Sequence, residues 1–157
     1  MTPITRCGLA LEPELMRRRG SGTVIAVIVY AFEGIDEALD LVPLAGRRAL
    51  DAAARKVGLE AWRALPLGTR RAIVAAGSAE TVEVDRILDA ISTVPHTPLA
   101  ASPEPSRDVV PAALGALTLA RWRALRAVDR WALENLARRG RDGAVSALLL
   151  ELGVTPT

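Results

Sequence analysis

From Leu44 onward, apolar residues return at spacings near three and four: Leu44, Leu50, Ala54 and Val57 form one stripe, while Arg47, Asp51 and Arg55 fall on a wetter side. That period predicts an amphipathic helix. Pro43 suits its first turn, where a missing N–H costs nothing, and the stripe carries the helix to about Val57, with Gly58 as a left-handed cap. Ahead of it, "IDEALDL" from Ile35 predicts a helical turn or two. Behind it the pattern predicts a short helix "LEAWRAL", a break at Pro66, a helix from about Leu67 to Ala76 closed by Gly77, and another from about Ala79 to Ser92.

Periodicity then lapses. The segment "TVPHTPLAASPEPSR", Thr93 to Arg107, holds four of the ten prolines and predicts a crossover or linker between two halves. Beyond it, Asp108 can cap "VVPAALGAL", Thr118 can cap "LARWRAL", and Asp129 sits near the start of "RWALENLARR". Gly140 ends that helix, Asp142 opens the final one, and Gly153 closes it.

Placing Trp122 over Trp62 sets an offset of 60 residues that continues without a gap. Leu59, Trp62, Arg63, Ala64, Leu65, Arg70 and Ala72 fall on Leu119, Trp122, Arg123, Ala124, Leu125, Arg130 and Ala132, seven identities in a window of fifteen. Helix, Trp-bearing short helix, break and helix recur in both halves, the pattern of an internal duplication. Its simplest meaning is packing: each Trp fills the angle between two short helices, and Arg70 and Arg130 hold carbonyls or a carboxylate near a helix end. The functional alternative, two Trp lining a groove for a partner helix or apolar ligand, requires them to be partly exposed.

The expected architecture is all-α, with two duplicated short-helix units packed as one domain and an extended N-terminal arm. Residues 1–22 read as a flexible leader and 23–157 as the helical domain, with unit one at about 30–92, the crossover at 93–107 and unit two at 108–154. The β-branched run Thr23 to Val29 reads as a short strand or extended arm.

Composition narrows the chemistry. A chain of 157 residues, half of them hydrophobic, can bury a core without staples. With aromatics at 3%, that core must be built from Ala, Leu, Val and Ile. Lys56 is the one lysine among 20 basic residues, yet the net charge is only +2 and acidic residues are interspersed, so the basic pI is a weak argument for nucleic acid. Cys7 and His96 are the only residues of their types, which excludes an intrachain disulfide and cysteine-rich metal sites. No metal and no cofactor are expected. "TVIAVIVYAF" is shorter than the roughly twenty apolar residues a membrane span needs. "MRRRG" before it has the basic start of a signal peptide, but acidic Glu33, Asp36 and Glu37 follow in place of a small-residue cleavage site, so the expected location is cytoplasmic.

No Gly-rich phosphate loop or nucleophile elbow is present, and a single His gives no paired site. Glu33, Asp36, Glu37 and Asp40 form a carboxylate cluster that reads as a solvated helix N-terminus rather than an acid–base pair. The protein is expected not to be an enzyme. Tyr30, Phe32, Glu33 and Asp36, an acidic aromatic stretch, are the candidate partner contacts; the structural reading is that Phe32 staples this lead-in onto the core. If they bind a partner, Phe32→Ala and Glu33→Ala should impair it without unfolding the domain. A second reading takes "ALTLARWRALRAVDRWALENLARRGRDG" as a helix-turn-helix with a basic second helix that binds nucleic acid.

Several of these positions together resemble the nitrate reductase associated protein family. The pattern runs Tyr30, Phe32, Glu33; Val42, Pro43, Leu44; Arg47 or Arg48; Leu50, Asp51; Gly58, Leu59, Trp62, Leu65; and Arg70 or Arg71. It returns as Leu119, Trp122, Leu125, Arg130 and Leu133, covering roughly Tyr30 to Val154. The chain departs at Gly140, Arg141 and Asp142, where the family has a Gly-His-Glu-like step. The resemblance implies a non-enzymatic accessory or maturation role toward a protein client, a molybdenum-dependent assimilatory nitrate reductase or its cofactor-insertion machinery. From the short apolar run no membrane partner is expected, and from the interspersed charge a nucleic-acid partner is the less favoured alternative.

Overall fold

The computed structural model describes residues 26–154. The leader at 1–22, Cys7 and the first part of the Thr23 to Val29 run lie outside the described residues. Among the described residues the fold is a helical domain of seven α-helices and one two-stranded sheet: α1 (Leu44–Ala52), β1 (Arg55–Val57), α2 (Leu59–Ala64), α3 (Leu67–Ser78), α4 (Val84–Ile91), β2 (His96–Pro98), α5 (Leu119–Ala124), α6 (Ala127–Arg138) and α7 (Asp142–Glu151). No helix among them is long and apolar enough to cross a membrane.

The expected run of α1 to Val57 stops five residues early, at Ala52. Ala54 adopts a left-handed backbone (φ 51°), which turns the chain out of the helix. Arg55–Val57 then pairs antiparallel with His96–Pro98, in the register Arg55 with Pro98 and Val57 with His96, and Leu99 N adds a bond to Ala54 O. The proline-rich crossover therefore closes a sheet rather than acting as a linker alone. Gly58 is not the left-handed cap expected of it: at φ −68° it is the N-cap of α2.

Gly77 does not end α3 but lies within it, buried against α1. A Cβ there would stand 1.7 Å from Ala45 O, so the glycine sets how closely the two helices approach. Beyond it, α4 begins at Val84 instead of Ala79. The reason lies across the core: the Arg48 guanidinium, 1% exposed, binds the carbonyls of Gly77 (2.8 Å), Ala79 (2.6 Å) and Glu80 (3.1 Å), holding the chain open after α3. Its Nε also donates to Glu104 at 2.9 Å. "IDEALDL" likewise forms only a turn, with Leu39 N donating to Asp36 O. Leu39 takes a left-handed backbone (φ 52°) while its side chain is buried. In the second half, "VVPAALGAL" yields a single 3-10 turn at Ala112–Leu114, and Asp108 pairs with Arg123 (2.9 Å) instead of capping it.

Two apolar clusters form the core. One gathers α1, α3 and α4 around Trp62; the other gathers α6 and α7 around Trp122, Trp131 and Tyr30. Val128 of α6 enters the first and Leu44 of α1 the second, so each half completes the other's core. Ahead of α1, residues 26–29 take no regular secondary structure and join no strand among the described residues, and Ile28 N donates to Ser78 Oγ at 2.9 Å.

Candidate functional site

The repeated motifs have matching local geometry. α5 and α6 begin and end sixty residues after α2 and α3, and the indole N–H of each Trp reaches a backbone carbonyl: Trp62 to Leu39 at 2.7 Å, Trp122 to Ser106 at 2.8 Å. Both Trp are fully buried, which favours packing over a groove. Thr118 Oγ1 accepts from Arg121 N, the cap expected of it. Arg70 holds Leu39 O (3.1 Å) and Asp40 (3.2 Å), and the buried Arg130 holds Leu125 O. Glu80 of the first half reaches the start of α6, accepting from Ala127 N (3.2 Å) and Arg130 (3.4 Å). Glu80 thus ties the first unit to the second, while Arg70 and Arg130 each also brace their own unit.

The four candidate contacts of the lead-in separate in space. Tyr30 is buried, its hydroxyl bound to Asp129 Oδ1 at 2.7 Å, and burial beside that carboxylate drives the phenol far above its ordinary value. A partner cannot reach it. Phe32 stacks on it with ring centroids 5.8 Å apart and is half-buried. Glu33 turns inward: Oε1 accepts from Leu44 N (2.7 Å), capping α1, and Oε2 from Tyr30 N (3.0 Å). Burial raises its pKa, and these two N–H groups and Arg47 oppose the rise. Glu33→Ala would therefore uncap α1, so a folded variant with only binding lost is not expected from it. Asp36 is exposed and accepts from Ala38 N, next to a different hollow from Phe32 and Glu33. The carboxylate cluster is dispersed, since Asp40 is bound to Arg70.

Phe32 and Glu33 instead line a cleft of about 560 Å³ between the lead-in, α1, the end of α6 and the start of α7. Its apolar side includes Leu41, Val42, Leu44 and Leu136, and Leu41 is 47% exposed. Its polar side carries Arg47, Arg139 and Arg141, all exposed. Arg47 Nε reaches only Val42 O, at 3.3 Å. Among the described residues no carboxylate lies within ion-pair distance of any of the three. Asn135, 3% exposed, also lines the cleft, and its Nδ2 has no acceptor among the described residues. An adjoining hollow shares Arg47 and Arg139 and contains Asp51, whose pKa is raised by burial against the pull of Arg139, Arg138 and Arg47.

Sequence reasoning counted Arg47 as part of a wet face and Arg139 and Arg141 as part of a basic second helix, and it passed over Asn135. One signal was available: Asn135 is the chain's only asparagine, placed three or four residues after Trp131 and Ala132 on the apolar face of α6. The helix-turn-helix reading needs α6 free to enter a groove. Nine of its twelve residues are buried, and Arg123, Arg126 and Arg130 are engaged by Asp108, Asp129 and Glu80.

No protein-family model matches the chain, and neither the curated proteins nor the solved structures contain a match. The likeness to nitrate reductase associated proteins rests on residue spacing alone.

Proposed function

We propose that the domain is a non-enzymatic accessory or maturation protein that binds a client enzyme in the cytoplasm through the cleft beside Phe32. The observation that supports this most is the pairing of an apolar side, exposed Leu41 and half-buried Val42, with three guanidiniums that form no ion pair with a described carboxylate. Aromatic and arginine side chains around an apolar centre are the composition of protein interfaces. The resemblance in spacing makes a molybdenum-dependent assimilatory nitrate reductase, or its cofactor-insertion enzymes, the client to test.

The test is capture by tagged protein from nitrate-grown source cells, with mass spectrometry of what co-elutes, comparing wild type with Leu41→Asp. Recovery of nitrate reductase or its insertion enzymes by wild type and their loss with the folded Leu41→Asp variant is the expected result. Recovery of nucleic acid that added salt removes, or equal recovery by both proteins, would refute it.

A further inference from the structure

The cleft has two halves of opposite character within one volume, and that restricts what fills it. Resting on the reading of the cleft as the client-binding site, we propose that it takes an acidic peptide segment of the client, carboxylates interleaved with apolar side chains. The carboxylates meet Arg47, Arg139 and Arg141, and the apolar side chains meet Leu41, Val42 and Leu136.

Three independent features point to an anionic, oxygen-rich occupant. Guanidiniums pair with carboxylates through two parallel N–H···O bonds, and these three have no such partner among the described residues. Asn135 Nδ2 is a buried donor without an acceptor, a costly arrangement that a carboxylate or peptide carbonyl oxygen relieves. Gly143 and Ala144, in the first turn of the ten-residue α7, also line the cleft and bring the positive end of a helix dipole to it.

The opposing charges are few. Glu33 is the carboxylate on the cleft wall and spends both oxygens on backbone N–H groups; Asp51 lies in the adjoining hollow, and Asp142 is exposed at the start of α7. A nucleic-acid backbone would also meet cations, but it calls for a basic track with stacking platforms. Here the rest of the lining is mostly aliphatic, and its one aromatic, half-buried Phe32, is already stacked on Tyr30, which matches the leucine-type side chains of a peptide better than a row of bases.

Fluorescence anisotropy on the full chain, with a fluorescein-labelled decapeptide alternating Glu and Leu, tests the inference against the same peptide with Gln for Glu. The Glu peptide should bind at least about tenfold more tightly, and salt should weaken it. The exposed double variant Arg139→Gln/Arg141→Gln should lose about tenfold while Arg71→Gln, which lies outside the cleft, loses none. Asn135→Leu replaces an unpartnered amide with an apolar side chain, so it should stay folded and lose about threefold. Equal binding of the Glu and Gln peptides, an unchanged affinity in the double variant, or a single-stranded oligonucleotide that displaces the Glu peptide from the cleft would each overturn it. Capture of nitrate reductase by the double variant as well as by wild type would sink the acidic anchor and leave the client reading standing. Tight Glu-peptide binding without capture of that client would uphold the anchor and sink the client.

Discussion

The Tyr30 hydroxyl donates to Asp129 Oδ1 at 2.7 Å, joining residues 99 positions apart. Asp129 also accepts Arg126 Nε (2.7 Å) and Nη2 (2.8 Å), so one buried carboxylate caps α6, neutralises an arginine and fixes the lead-in. Glu151 secures the same lead-in from the other side, accepting from Ala31 N at 2.8 Å. Tyr30→Phe keeps the ring and removes one donor to a charged acceptor. It should cost about 1.5–3 kcal/mol in urea unfolding, with the helical circular dichroism of the native state unchanged. A loss near zero would mean that Arg126 alone satisfies Asp129.

Gly77→Ala reverses an ordinary expectation. Glycine to alanine inside a helix normally stabilises by about 1 kcal/mol. Here the added methyl would press on Ala45 O, backbone that can yield only if α1 moves. We expect a loss of about 3 kcal/mol or more, read as a lower urea midpoint.

Ala54 presents the opposite case. Its left-handed backbone costs an L-residue about 1–2 kcal/mol, and no side chain of size is lost on changing it to glycine. After the extra chain entropy of glycine, Ala54→Gly should be neutral to about 1 kcal/mol more stable. Thermal unfolding measures it, and a clear fall in Tm would contradict the strain.

Burial holds Glu33 and Asp51 above their ordinary carboxylate values. An acid whose folded pKa is raised binds more protons folded than unfolded between the two values, so stability falls as pH rises through that window and is level above it. Both groups should therefore give a decline in Tm starting near the ordinary carboxylate value of about 4 and ending at their higher native values. Asp51→Asn should flatten part of that decline. An unchanged pH profile would show that Asp51 titrates normally.

Much of the helical framework was legible because its signals are local. Pro43, Thr118, Gly140 and Gly153 stand where chain geometry allows few alternatives, and the two Trp motifs announce matching short helices. The failures share a cause. Ala54 and Val57 fit the helical stripe, and nothing within that stripe says that His96–Pro98 will offer a strand edge forty residues away. Arg48 has the sequence environment of any surface arginine, yet it is buried because three carbonyls at the end of α3 converge on it.

The sequence by itself determined the helical class, the repeated Trp-bearing helices and the presence of an aromatic lead-in, because propensity, capping and periodicity act over a few residues. Only the tertiary structure decided that Tyr30 is core, that Glu33 is a cap, and that Arg47, Arg139, Arg141 and Asn135 share one cleft. Periodicity says which side of a helix is dry. Which distant groups meet there depends on how the helices pack, and that is set by close approaches such as Gly77 on Ala45.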